Sequence, residues 1–125
     1  MYNLDLDTRS LQIILSGAVT ATETDWSVHY TKISSNGSET VASAMGATTG
    51  GTAVTMIAAP RAGDKIKIDS ITIHNADSGN TTLTIRINNN GTMKILYKAT
   101  LATLENLIYE SGKGWTAYTT AGAIK

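Results

Sequence analysis

The sequence has no cysteine and no phenylalanine, a single proline, few aromatic residues (6%) and little charge (16%). Without cysteine there is neither a disulfide framework nor a thiolate metal site, and the compartment stays open because cysteine-free chains occur everywhere. Lys+Arg and Asp+Glu number 10 each, for a formal net charge of zero, and the basic residues are scattered among acidic ones. A protein that neutralises phosphates needs a basic patch, so nucleic acid is not expected as the main ligand. No apolar run approaches the roughly 20 residues that cross a bilayer as a helix. The start, MYNLDLDTRS, lacks the charged opening and apolar stretch of a secretory signal. The expectation is a soluble chain with no membrane partner.

What is present is turn and strand chemistry. Threonine and isoleucine branch at Cβ and suit a pleated surface, while glycine and asparagine form turns. From Asp64 to Tyr109, Ile66 and Ile68, Ile71 and Ile73, Leu83, Ile85 and Ile87, then Met93, Ile95 and Tyr97 recur at a spacing of two. That period buries one face of a strand and wets the other. The alternation changes phase at Asp69-Ser70, which a β-bulge or a strand crossing between sheets would correct.

Further strands are predicted at Leu11–Leu15, around Trp26, Val28 and Tyr30, over Thr52–Ala58, Thr81–Ile87, Met93–Ala99, Leu104–Tyr109 and Trp115–Thr119. Thr100–Asn106 is alternatively a helical turn. Asn36-Gly37 and Asn90-Gly91 are hairpin-type turns, and Pro60 ends its strand by removing a backbone donor. Ser34–Gly51 loses hydrophobic mass and reads as a long surface loop, with a short strand inside it at Thr40–Ala44. Residues 1–9 alternate weakly, with Tyr2, Leu4 and Leu6 on one side, as either an edge strand or an extended N-terminal arm. At 125 residues, the remainder, 10–125, is one domain. The expected fold is all-β, a two-layer antiparallel β-sandwich, jelly-roll-like, of about eight or nine short strands.

Candidate chemistry is sparse. His29 and His74 lack a third ligand for a metal, and no Gly-x-Ser-x-Gly elbow exposes a serine. Asp64 with Asp69, or Glu105 with Glu110, are conceivable carboxylate pairs, but their neighbours favour turn and solvent roles. GATTGG (Gly46–Gly51) fits neither phosphate-binding pattern, and Asn88-Asn89-Asn90-Gly91 offers calcium no carboxylate. No cofactor and no catalytic residue are expected. Trp26 and Trp115 with the tyrosines are expected mostly as core or interface residues, because a core without phenylalanine needs large apolar mass, with carbohydrate or partner contact by one exposed ring as the alternative.

Ile71–Thr92, Met93–Tyr118 and the ending Ala121–Lys125 resemble small virion structural proteins of tailed bacteriophages. The matching positions are Asn75 and Asp77, Asn90 and Gly91, Leu104 and Leu107, and Gly114 and Trp115, with Leu11–Trp26 similar in flavour. The resemblance implies a non-enzymatic particle component made in the host cytoplasm and carried in the virion. A capsid decoration or cement protein is preferred, with a tail, head-tail connector or fibre component as the alternative. It implies self-association, with a trimer preferred from the threefold positions of capsids, and contact with the major capsid protein. Tyr2, Leu4 and Leu6 of the arm, with Trp26 and Tyr30, are the expected partner interface, and removal of residues 1–9 is expected to leave the fold intact. On the alternative reading, a carbohydrate- or receptor-binding module, Trp115 and Tyr118 form the stacking platform.

Overall fold

Most of the strands form where β-branched and apolar residues alternate, and most stop at a glycine, asparagine or proline turn. The computed structural model describes residues 2–125, and among them are ten strands and no helix. They are β1 (Asn3–Leu4), β2 (Arg9–Leu15), β3 (Asp25–Ile33), β4 (Glu39–Ala47), β5 (Val54–Ile57), β6 (Lys65–His74), β7 (Thr81–Asn89), β8 (Thr92–Leu101), β9 (Asn106–Glu110) and β10 (Gly114–Tyr118). Every pairing is antiparallel. One sheet runs β10-β9-β6-β3-β4, with β1 added to β6, and the other runs β5-β2-β7-β8. The two pack into a β-sandwich around one core that includes Leu11, Ile13, Val28, Ile71, Leu83 and Ile85. This is the expected sandwich; the strand orders alone do not make it a jelly roll.

Two bulges set which residues reach that core. In β6, Ser70 pairs with His29 and Ile68 with Tyr30, leaving Asp69 as the extra residue. The phase change read in the sequence is therefore a bulge, and it brings Ile66, Ile68, Ile71 and Ile73 to the same buried face. Asp69 itself accepts a hydrogen bond from the Thr31 hydroxyl at 2.8 Å on the outer face. In β8, Tyr97 pairs with Ile85 and Ile95 with Arg86, so Leu96 is extra. Here the expectation fails, because the bulge breaks the apparent run Met93, Ile95, Tyr97. Tyr97 packs on the core, whereas Met93 and Ile95 are 43% and 62% exposed.

The other departures lie at the edges. Of the two readings of the N-terminal residues, the described ones take the edge strand: β1 pairs with β6, and Ile68 donates to the Tyr2 carbonyl at 3.0 Å. Thr100–Asn106 is neither helix nor one strand; β8 runs into Leu101, and a turn at Leu104 (φ 64°) precedes β9. Half of the stretch predicted as a long loop is β4, nine residues paired to β3 along its whole length.

One end of the sandwich is stitched by acidic side chains onto backbone amides. Asp77 accepts from the amides of Thr20 (2.9 Å), Ala21 (2.8 Å), Thr22 (3.1 Å) and Ser78 (2.9 Å). Glu23 accepts from the Gly50 amide at 2.7 Å and the Thr48 hydroxyl at 2.9 Å. Glu105 accepts from the Ala102 amide at 2.7 Å and Lys125 Nζ at 2.6 Å.

The Thr20 amide, with the other three, holds the Asp77 carboxyl below its ordinary value against the opposing effect of burial. Lys125, then the Ala102 amide, does the same for Glu105. A carboxyl depressed in the folded state stabilises it above the unfolded-state value and loses that contribution as pH falls through the folded one. Urea midpoints should therefore hold from neutral pH down to the ordinary carboxylate range and then fall. Asp77→Asn should lower the neutral midpoint and flatten the acid limb. An acid limb identical in that variant would remove Asp77 from the account.

Candidate functional site

A sheet edge presents unpaired N–H and C=O groups, and folded proteins blunt such edges with short strands, charge, bulges or a covering segment. Three edges here are managed in those ways. β5 has four residues, a bulge at Met56 and Pro60 just beyond it. β8 carries Lys94, Lys98 and the Leu96 bulge. β10 is covered by the C-terminal residues: Tyr118 bridges Ile124, and the Lys125 amide donates to the Ala117 carbonyl at 2.9 Å.

β4 is managed in none of them beyond Glu39 at its first residue. It is nine residues long, ETVASAMGA, with no lysine, no proline and no bulge, and among the described residues β3 is its sole partner strand. Its hydrogen-bonding phase follows from the two ends. The Ser34 amide donates to Ser38 O at 2.8 Å, and the Thr48 amide to Thr24 O at 2.9 Å. Antiparallel bonded and non-bonded pairs alternate, and the register between these ends is unbroken. The even-numbered residues of β4 therefore bond to β3, and Glu39, Val41, Ser43, Met45 and Ala47 turn their backbone groups outward. On the sheet's outer face Val41 and Met45 are each 81% exposed.

Two concavities flank this strand. One, about 420 Å³, lies between Tyr30, Lys32 and Thr40 on one side and Ile57, Pro60 and Asp64 on the other. The second, about 580 Å³ and shallow, is bounded by Trp26, Met45, Gly46, Thr72 and His74. Gly46 is required there: a Cβ on it would stand 2.8 Å from Trp26 Cζ2. Gly46→Ala should cost about 1–3 kcal/mol as the indole is displaced, read as a lowered denaturation midpoint; an unchanged midpoint would mean that Trp26 yields freely.

The residues singled out in the sequence fall elsewhere. Leu4 is wholly buried in the core, and Tyr2 stacks on Tyr109 with centroids 4.8 Å apart. Leu4 fills the chain's own interior and Tyr2 packs partly buried against the core, while Leu6 is exposed in the turn before β2. Trp26 is 7% exposed with its indole N–H unpartnered, and Tyr30 is half-buried in the first concavity. Trp115 and Tyr118 form no platform. Trp115 lies on the core side, stacked on Tyr97 at 4.8 Å and donating to the Tyr2 hydroxyl at 3.0 Å, and Tyr118, three residues on, falls on the other face of the strand.

The candidate chemical groups hold separate partners. Asp64 accepts from the Ser35 amide and pairs with Arg61, and Glu110 pairs with Lys113. His74 Nδ1 lies 2.7 Å from Asn106 Oδ1, while His29 stands exposed on the same sheet. Among the described residues there is no group of three His, Cys, Asp or Glu that could hold a metal ion. Asn88 accepts the Gly91 amide at 2.8 Å and Asn89 the Thr8 hydroxyl at 2.7 Å, which makes the asparagine run a hairpin turn.

Sequence reading gave β4 only in part, as the short strand Thr40–Ala44 within a loop. Its signal was the weak alternation Val41, Ser43, Met45 against Ala42, Ala44, Gly46, masked by the small size of those residues. The fold and this edge define an all-β sandwich with one unguarded strand. No family model, curated protein or solved structure matches the chain.

Proposed function

We propose that the protein is a non-enzymatic component of a larger assembly, a decoration or cement protein of a tailed-phage capsid that bridges neighbouring shell subunits. The observation that carries the assembly role is β4, whose outward backbone groups and exposed Val41 and Met45 suit addition of a strand from another subunit. The phage setting rests on the resemblance of Ile71–Lys125 to virion structural proteins. A protein that binds the expanded shell and not its precursor stabilises the expanded form by mass action.

Quantitative mass spectrometry of purified particles tests this. About one copy per major capsid subunit is the expected result for a shell-wide decoration. About a dozen copies or fewer would move the protein to the portal, tail or fibres under cyclic symmetry, and absence from the particle would end the virion reading.

A further inference from the structure

We infer that β4 is a homodimerisation edge, pairing antiparallel with β4 of a second copy about a two-fold axis through Ser43. The inference refines the assembly reading, and it stands or falls on self-association in solution, whatever particle carries the protein.

Backbone phase restricts the possible registers. Two edge strands bond only if outward-facing residues meet outward-facing residues, and on β4 these are the odd-numbered ones. A two-fold between residues would set odd against even and is excluded. A two-fold through Ser43 keeps the phase and is the centre that overlaps all of Glu39–Ala47. It forms up to about ten backbone hydrogen bonds, two for each of the outward pairs.

The side chains fit the same axis. In an isologous contact residue i meets j and j meets i, so a strand that pairs with itself must be complementary about its middle. Around Ser43 the sequence reads Ala42 against Ala44, Val41 against Met45, and Thr40 against Gly46. On the outer face, Val41 of each copy meets Met45 of the other, which covers both of the strand's exposed large apolar side chains. On the inner face alanine meets alanine, and Thr40 of the second copy lies beside Gly46, over the edge of the Trp26 indole.

Charge fits as well. A two-fold brings like groups together, and Thr40–Ala47 is uncharged, with Glu39 at the far end opposite Ala47 of the second copy. The product is one continuous sheet through two sandwiches, with both flanking concavities at its seam. It is a two-fold dimer in place of the trimer that capsid geometry alone suggested.

The test is sedimentation velocity of the full chain over a concentration series, with two paired variants. Val41 and Met45 are exposed, so charged replacements leave the folded monomer intact, as circular dichroism would verify. In Val41→Lys/Met45→Lys the introduced lysines face each other twice across the axis, and the dimer dissociation constant should rise about tenfold or more. In Val41→Lys/Met45→Glu each lysine faces a glutamate, and association should return to within about threefold of the unmodified protein. Within one chain positions 41 and 45 lie too far apart along the strand to pair, so rescue is specific to this register.

A monomer at every concentration, a trimer, or a dimer indifferent to both variants would overturn the inference. If the protein is monomeric and the double-lysine variant no longer binds particles, β4 belongs to a different subunit, and the assembly reading survives without the dimer.

Discussion

A chain that begins at Leu6 is expected to lose about 4–6 kcal/mol of stability, most of what holds an ordinary small domain together. Leu4 is a fully buried core residue, and truncating such a leucine to alanine alone costs about 2–5 kcal/mol. Tyr2 adds its stack on Tyr109, its contact with Trp115 at 6.3 Å and the hydrogen bond from the Trp115 indole. Aromatic pairs contribute roughly 0.5–1.5 kcal/mol each beyond area burial. The β1–β6 pairing is lost too, leaving one side of Ile66 and Lys67 open. This reverses the expectation, drawn from the sequence, that the N-terminal residues could be removed without harm. Urea denaturation followed by circular dichroism measures the loss. Leu4→Ala gives a milder variant should the truncated chain fail to fold, and a midpoint unchanged in both would show that β1 contributes nothing to the folded body.

Asn75→Leu should destabilise by about 3–5 kcal/mol without any change in side-chain burial. The Asn75 amide donates to the carbonyls of Gly79 (3.0 Å) and Leu101 (2.9 Å), and its oxygen accepts from the Asp77 amide (3.0 Å) and the Thr81 hydroxyl (3.1 Å). Leucine strips all of them at once and leaves four polar groups in or near the interior, each costing about 1–3 kcal/mol when unsatisfied, with partial relief from relaxation. Asn75→Asp is the sharper comparison. It keeps the acceptor and loses the donors, so the Gly79 and Leu101 carbonyls face a carboxylate. That variant should be no more stable than the leucine one at neutral pH and should recover as acid protonates the new group. If Asn75→Leu proved neutral, the loop from Asn75 to Asn80 would be held by Asp77 alone.

Strand grammar was legible wherever large apolar residues alternated. β2, β3, β6 and β7 lie where the sequence put them, and the Asp69 bulge announced itself because isoleucines on both sides of it fell out of phase. The Leu96 bulge was silent, since Met93, Ile95 and Tyr97 keep an unbroken spacing and Leu96 is apolar as well. Periodicity shows which residues share a face only while the strand stays regular. β4 was legible only as the short strand Thr40–Ala44, for a different reason. An edge strand whose inner face half-buries only small side chains, Ala42 and Ala44, needs little hydrophobic mass, so it has the composition of a loop. Asn75 and Asp77 look like turn residues in sequence; their burial depends on Thr20–Thr22 and Leu101, which only the folded chain brings to them. Trp26, taken for a surface aromatic, is instead the ring over which Gly46 closes.

The placement of the two tryptophans makes the molecule its own optical instrument. Trp26 lies under Gly46 of β4 with an unbonded indole N–H in apolar surroundings, and Trp115 donates to Tyr2, beside Tyr109 and Tyr97. One indole therefore sits at the seam a second copy would cover, and the other at the place where the chain's first strand docks. Their emission should differ in wavelength and in the energy received from neighbouring tyrosines, so that Trp26→Tyr and Trp115→Tyr chains separate two events without any added label: what arrives at β4, and what leaves with β1.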